Sequence, residues 1–161
     1  MSVVVSDTSP IRCLAYLRLL DSLPILFGRV LVPPAVVDEL SVHVFGFAQL
    51  DPATIPFLEV RAPIDAALVR HLQSRLHLGE AEALALAVEV RPDAVLIDEK
   101  TGRAMAKQLG LVPLGVLGTL VKAKRAGLVP ALSPLMTRLK VEVGFRISAD
   151  VERRILDLAG E

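Results

Sequence analysis

Hydrophobic residues fall into short runs that alternate with longer stretches of mixed polarity. Val3, Val4 and Val5 form the first run, which is rich in β-branched side chains and leads to Asp7. Runs of this length and composition are typical of buried strands. We therefore predict five strands, at residues 3–5, 29–32, 58–61, 94–97 and 112–114.

The stretches between these runs predict helices from their start and stop residues. Ser9 before Pro10 is typical of an N-cap and a first helical position, so a helix is expected from there to about residue 20. Two prolines at positions 33 and 34 end the second strand and open a helix that reaches residue 40. Residues 41–56 show no clear period. Further helices are expected at residues 64–72, 79–90, 101–109, 117–126 and from 148 onwards.

The last predicted helix has a cap and an apolar face of its own. Ser148 is its predicted N-cap, and Val151, Ile155 and Leu158 fall on one face. Short strands that alternate with helices predict an α/β fold, with a mostly parallel sheet and helices on both faces. Because no repeat or linker divides the chain, residues 1–161 are expected to form one domain.

Composition restricts the class of protein and its partners. Hydrophobic residues are 53% and charged residues 22% of the chain, which indicates a packed globular domain. The formal net charge is +0, so attraction to a nucleic acid would depend on a local patch such as Lys100, Arg103 and Lys107. A single cysteine, the lack of a signal-peptide pattern and the lack of a bilayer-length apolar run predict a soluble cytoplasmic protein.

Acidic residues follow two of the predicted strands. Asp7 comes after the first strand and Asp98 after the fourth, and the carboxyl ends of strands are where open α/β sheets bind ligands. Glu80 is a third candidate, because it shares a helix face with small and apolar residues, whereas Glu82 and Glu89 lie on the opposite, solvated face. A carboxylate on a packing face is costly unless it is paired or bound to a cation.

Glu39 is the fourth candidate, and its spacing from Val36 favours it only slightly over the neighbouring Asp38. Each of the other acids also has a structural explanation, as a turn residue, a helix cap or a first-turn acid favoured by the helix dipole. Clustered carboxylates raise one another's pKa values unless a cation neutralises them, and Mg²⁺ prefers oxygen ligands. Such an ion can orient a water and stabilise a leaving oxygen at a phosphodiester.

Other kinds of site find little support. The sequence contains no Walker-type loop, no dinucleotide-binding glycine motif and no CxxC pair. His43, His71 and His77 lack the spacing of zinc ligands, and Cys13 is expected to be a buried structural thiol. Aromatic residues are only 4% of the chain, so an extended platform for base stacking is not expected.

The four acids, taken in order with the triplet Asp7-Thr8-Ser9, resemble the pattern of the PIN-domain family. Four segments are similar to a prokaryotic PIN-like subgroup related to VapC-type toxins: VVSDTSP, LGEAEALALA, LIDEKTGRAMAKQLGLVPLGVLGTLVKAKRAGLV and GFRISADVERRILDLAGE. The resemblance covers nearly the whole chain except residues 41–56.

This resemblance implies a three-layer α/β/α sandwich and a Mg²⁺- or Mn²⁺-dependent endoribonuclease that cuts single-stranded or structured RNA. Family toxins are commonly dimers bound by an antitoxin, so a homodimer and an antitoxin partner are expected, without a membrane. Lys100 and Arg103 are candidate phosphate contacts. Many members have aspartate where this chain has glutamate in the mid-chain helix. The implied catalytic acids are Asp7, Glu39, Glu80 and Asp98, of which Asp7, Glu80 and Asp98 bind metal, with Ser9 supporting Asp7.

Two other functions remain open on the sequence. Aspartyl-phosphate phosphatases also have an aspartate after the first strand, but they usually need a second one two residues later, where this chain has Ser9. A non-catalytic PIN-like module that binds a protein partner is the other alternative, motivated by the neutral net charge and the few aromatic residues. The principal prediction is the metal-dependent ribonuclease, with the toxin of a toxin–antitoxin pair as one form of it.

Overall fold

Five short parallel strands form one sheet in a computed structural model, which describes residues 2–161. The order across the sheet is β3-β2-β1-β4-β5, and β1 pairs Val5 with Leu31 of β2 and with Val95 of β4. All five predicted strands are confirmed to within one residue at each end. Their bounds are β1 (Val3–Ser6), β2 (Arg29–Val32), β3 (Leu58–Val60), β4 (Ala94–Leu96) and β5 (Pro113–Leu114).

Helices cover both faces of this sheet. Because side chains alternate along a strand, Val4 and Val5 of β1 face opposite layers. Val4 belongs to the core formed with α1, α2, α7 and α8, and Val5 belongs to the core formed with α4, α5 and α6. The three-layer α/β/α sandwich is therefore confirmed. The helices are α1 (Thr8–Tyr16), α2 (Ser22–Phe27), α3 (Pro34–Leu40), α4 (Ala66–Gln73), α5 (Leu78–Val90), α6 (Lys100–Gln108), α7 (Val116–Arg125), α8 (Ser133–Glu142) and α9 (Ala149–Ala159).

The strand order creates a crevice at the middle of the sheet. From β1 the chain adds β2 and β3 on one side, and it then returns to add β4 and β5 on the other side. The connections therefore leave β1 and β4 in opposite directions. Ligands of open parallel sheets bind at such a switch point, beyond the carboxyl ends of the strands.

The first helix differs from its prediction at both ends. Asp7 occupies the N-cap and Thr8 is the first helical residue, so Ser9 is not the cap. The helix ends at Tyr16 rather than near residue 20. The reason is that Arg18 adopts a φ of 58°, a left-handed conformation in which a right-handed helix cannot continue.

Two short helices, α2 and α8, are absent from the sequence prediction. Helix α8 has Ser133 and Pro134 in its first turn, which is the same start signal that predicts the first helix. Helix α2 is only six residues long, too short to show a helical period. Its packing explains it, because Leu23 is fully buried and Phe27 is nearly so.

The predicted N-cap of the C-terminal helix is confirmed, but only part of its predicted apolar face is buried. The Ser148 hydroxyl oxygen accepts a hydrogen bond from the Val151 N–H, as an N-cap should. Ile155 is 9% exposed, whereas Val151 is 42% and Leu158 is 50% exposed. Helix α9 packs mainly on α7, and this narrow contact covers only the centre of its apolar face.

Residues 41–56, for which the sequence predicts no helix or strand, contain little regular structure. Their one short helical turn is a 3-10 turn at Pro52–Thr54. Within residues 2–161, no helix combines the length and the apolar character that crossing a membrane requires.

Candidate active site

Asp7 and Asp98 lie at the carboxyl ends of the adjacent strands β1 and β4, as their positions in the sequence predict. The Asp7 backbone N–H donates to the Leu96 carbonyl oxygen at 2.9 Å, which joins the two strand ends. Asp98 Oδ1 accepts from the Val116 N–H at 2.8 Å, and its Oδ2 accepts from the Ser9 hydroxyl at 3.3 Å. Val116 begins α7, so a helix N-terminus faces this carboxylate. Burial nevertheless raises the pKa of Asp98.

Asp7 is a buried carboxyl group, with 4% of its surface exposed. Burial is the main cause that raises its pKa, to about 7, and the Thr8 backbone N–H opposes it by favouring the charged form. The negative charges of Glu80, Glu39 and Asp98 also raise this pKa. All three other candidate acids therefore act on the carboxyl group of Asp7.

Glu80 is buried in the first turn of α5, with 6% of its surface exposed. Its Oε1 accepts from the His77 backbone N–H at 3.4 Å, whereas its Oε2 is buried without a hydrogen-bond partner among the described residues. Burial raises the pKa of Glu80, and the charges of Glu99 and Glu39 act in the same direction. A buried carboxylate oxygen that lacks a partner is costly, and a bound cation would remove this cost.

Glu39 reaches the site from α3, while the neighbouring Asp38 is exposed to solvent. The Thr8 hydroxyl donates to Glu39 Oε2, and the Arg12 guanidinium donates to the Glu39 backbone oxygen. Both donors belong to α1, the helix that begins after Asp7. Of the two acids that residue spacing left open, only Glu39 is therefore held against the start of α1.

Three glycines lie directly against carboxylate groups of the site. Backbone packed this closely leaves no room for a side chain, so each glycine lets a carboxylate occupy space that a Cβ would fill. An added Cβ would lie 2.5 Å from Glu39 at Gly79, 2.8 Å from Glu80 at Gly102 and 2.9 Å from Asp98 at Gly115.

The remaining predicted site residues cluster around Asp98. The Ser9 hydroxyl bonds Asp98, whereas the family resemblance implied that it supports Asp7; Ser9 lies in the first turn of α1 and reaches the end of β4. Arg103 Nη1 donates to the Ile97 carbonyl oxygen at 3.3 Å, and its charge acts to lower the pKa of Asp98 against the larger effect of burial. Lys100 is exposed and lines a groove beside Asp98.

The chemistry of these four side chains favours a divalent metal, but their spacing does not place three of them around one ion. The four acids offer only carboxylate oxygens, the ligands that Mg²⁺ and Mn²⁺ prefer. In the part of the chain that the structure describes, no three His, Cys, Asp or Glu side chains are placed to hold one ion together. Mg²⁺ commonly takes only one or two protein carboxylates and keeps several waters. The unpartnered Oε2 of Glu80 fits a site of that kind.

Comparison with protein families decides the identity of the fold. The family model described as a PIN domain matches residues 3–161. The chain belongs to the PIN-domain family. PIN domains are generally nucleases, and those nucleases typically use divalent metals. A comparison with curated proteins finds no match.

Sequence reasoning missed several residues that position the acids of this PIN domain. Helical spacing places Glu82 on a solvated face, yet its Oε2 accepts from the Ala35 N–H at 2.8 Å and joins α5 to the first turn of α3, the helix of Glu39. Thr8 was also missed as a partner of Glu39. One signal of this close packing is present in the sequence. Position 79 lies inside a predicted helix but is glycine, although alanine would favour the helix.

Proposed function

We propose that this PIN domain is a metal-dependent endoribonuclease whose catalytic acids are Asp7, Glu39, Glu80 and Asp98. One observation carries the proposal: the Asp7 carboxyl group is almost fully buried at the end of β1, and this burial, together with the charges of the other three acids, raises its pKa. A carboxyl group in such a position is difficult to ionise near neutral pH, and a divalent cation compensates for the concentrated negative charge. The choice of RNA over DNA rests on the family resemblance.

Each acid has a distinct support in the fold. Asp7 and Asp98 would hold the ion from strand ends, while Glu80 and Glu39 would reach it, directly or through water, from α5 and α3. A bound Mg²⁺ or Mn²⁺ would stabilise charge on the phosphodiester and lower the pKa of the attacking water. The role of the chain is to hold its oxygen atoms in place, as Ser9 and the Val116 N–H do for Asp98.

The metal and the acid on α3 can be tested together with labelled single-stranded RNA. Wild type should cut the RNA with Mn²⁺ or Mg²⁺, and EDTA should stop the reaction. Glu39→Gln should lower the rate roughly tenfold, because it removes a charge but keeps the side chain's shape. Asp38→Asn is the matched control, since Asp38 is exposed on the same helix and should leave the rate unchanged.

Two results would contradict this assignment in different ways. If wild type cuts no RNA with either metal, or cuts it equally well in EDTA, the proposed function is wrong. If wild type cuts but Glu39→Gln and Asp38→Asn are equally fast, the nuclease function stands and Glu39 is not part of it.

The glycine beneath Glu39 gives a second test that leaves every carboxylate in the chain. At Gly79 an alanine Cβ would lie 2.5 Å from Glu39 Oε1, the end of a flexible side chain, so the carboxylate should move rather than the backbone. Gly79→Ala should keep or raise the melting temperature, because alanine favours a helix by up to about 1 kcal/mol. Its Mn²⁺-dependent cleavage should nevertheless fall roughly tenfold, to the level of Glu39→Gln.

A double variant is the control for this mechanism. If Gly79→Ala acts through Glu39, combining it with Glu39→Gln should cause no further loss of cleavage. Independent, additive losses would show that the alanine disturbs another part of the site.

A toxin role, restrained by an antitoxin and exerted by a homodimer, is part of this proposal and rests on the family resemblance. A second candidate function is a non-catalytic module that binds a protein partner. It is favoured by exposed apolar side chains after α3, since Phe45 is 94% and Val42 is 59% exposed. Calorimetry separates the two functions. Tight binding of a protein encoded nearby, without heat from millimolar Mn²⁺, would favour the module.

A further inference from the structure

A groove lined with basic side chains opens beside Asp98. Its volume is about 670 Å³, on the scale of sites that enclose a small ligand. Its walls are α6, the start of α7 and the C-terminal segment around α9. Asp98 is the one acidic residue of the lining, and the cationic ones are Lys100, Arg103, Lys107, Arg146 and Arg154.

The positive charge of this groove is not compensated by ion pairs. Within residues 2–161, the ion pairs of the structure involve none of the five groove cations. Arg153, which adjoins Arg154 on α9, does have an acidic partner, Asp150 at 3.7 Å. The chain as a whole has a formal net charge of +0, so the groove is a local concentration of positive charge.

We propose that this groove binds the phosphate backbone of a single-stranded RNA segment that leads into the acid site. The proposal rests on the proposed nuclease function and names the path of its substrate. Arginine side chains on the rim are suited to phosphate, because a guanidinium group can donate two parallel hydrogen bonds to it. The C-terminal segment, which provides Arg146 and Arg154, thereby becomes part of the substrate site.

The apolar part of the groove lining favours a nucleotide over an acidic protein segment. Phe145 is half-buried there, beside Leu117 and the exposed Val151. An aromatic face can stack one base, and apolar side chains can cover a ribose or a second base. The carboxylate side chains of an acidic peptide would satisfy the cations but would bring no ring to these apolar residues.

The groove is also continuous with the candidate active site. Asp98 and Gly115 line the groove, and Gly115 packs against the Asp98 carboxylate. An RNA segment that lies along the cations therefore reaches Asp98, one of the four acids of the candidate active site. This position explains how a chain without net positive charge would draw a polyanion towards carboxylates.

Binding in EDTA tests the groove separately from cleavage. We would measure the fluorescence anisotropy of a short 5′-labelled single-stranded RNA with the triple variant Lys107→Gln, Arg146→Gln and Arg154→Gln. The control triple variant, Lys122→Gln, Arg138→Gln and Arg153→Gln, loses the same charge outside the groove. The groove variant should bind roughly tenfold more weakly, and its salt dependence should fall by about two units of slope, as expected for three lost phosphate contacts. The control should bind like wild type.

Each other outcome overturns the groove proposal. Equal binding by the two triple variants, whether weakened or not, would mean that the groove makes no specific contact. Stronger competition by a glutamate-rich peptide than by unlabelled RNA would identify a protein ligand instead.

Cleavage by wild type with Mn²⁺ distinguishes failure of the groove from failure of the nuclease function. If RNA binding depends on the groove but wild type does not cleave the RNA, the groove proposal is supported and the proposed nuclease function is wrong. If both triple variants cleave limiting RNA equally fast, the nuclease function is supported and the groove proposal is wrong.

Discussion

Asp7→Asn should lower Mn²⁺-dependent RNA cleavage by at least about 100-fold, and it should also raise the melting temperature of the metal-free protein at pH 8 by roughly 10 °C. Cleavage should fall because the substitution removes the negative charge of Asp7, which would help to hold the metal ion. Stability rises because the ionised Asp7 carboxylate, whose pKa is about 7, is buried at a cost that a neutral amide avoids.

The pH dependence of this stability gain follows from the raised pKa of Asp7. The pKa rises from its ordinary value of 3.8 to about 7 on folding, so between these values the folded protein binds more protons than the unfolded chain. The free energy of unfolding of metal-free wild type therefore falls as the pH rises from about 4 to 7, by up to about 4 kcal/mol. The Asp7→Asn variant should not show this loss of stability.

Thermal denaturation in EDTA at two pH values measures the effect. At pH 4 Asp7 is protonated in the folded protein, so the substitution should change the melting temperature little. At pH 8 the variant should be the more stable protein. A gain of equal size at both pH values, or a loss at pH 8, would contradict the buried and ionisable state of Asp7.

The backbone of the site could be predicted because it depends on local patterns. The run Val3–Val5 and the run before Asp98 are short, apolar and contain β-branched residues, and parallel strands expose their carboxyl ends at one edge. Helical period placed Glu80 on the packing face of α5, where it is 6% exposed. Strand, helix face and edge are all decided by residues close together in the chain.

The contacts between elements could not be predicted in the same way. Ser9 bonds Asp98, which lies 89 positions away, and Glu82 bonds the Ala35 N–H, 47 positions away. Whether a helix residue reaches a neighbour depends on how the helices pack, which spacing within one helix does not report. The early end of α1 is a further example, since it follows from the left-handed conformation of Arg18.

The affinity for Mn²⁺ should rise roughly tenfold per pH unit between pH 5 and pH 7 and level off above pH 7. In this range the ion must displace the proton that Asp7 holds up to a pH of about 7. Burial also raises the pKa values of Glu80 and Asp98. Protons on these groups would compete with Mn²⁺ as well, which makes the dependence of the affinity on pH steeper. The metal-free protein should lose stability over the same range, so Mn²⁺ should stabilise the fold most at the pH values where the metal-free protein is least stable.

Isothermal titration calorimetry in buffers of different ionisation enthalpy measures this competition. About one proton should be released per Mn²⁺ at pH 6 and almost none well above pH 7, and Asp7→Asn should flatten the dependence. At a free Mn²⁺ concentration of 100 Kd, binding adds about 2.7 kcal/mol to the free energy of unfolding, and EDTA should reverse the gain. An affinity that is independent of pH would mean that the carboxylates are already ionised without metal. The acids would then be neutralised by the protein itself, and the cluster would have no need of a cation.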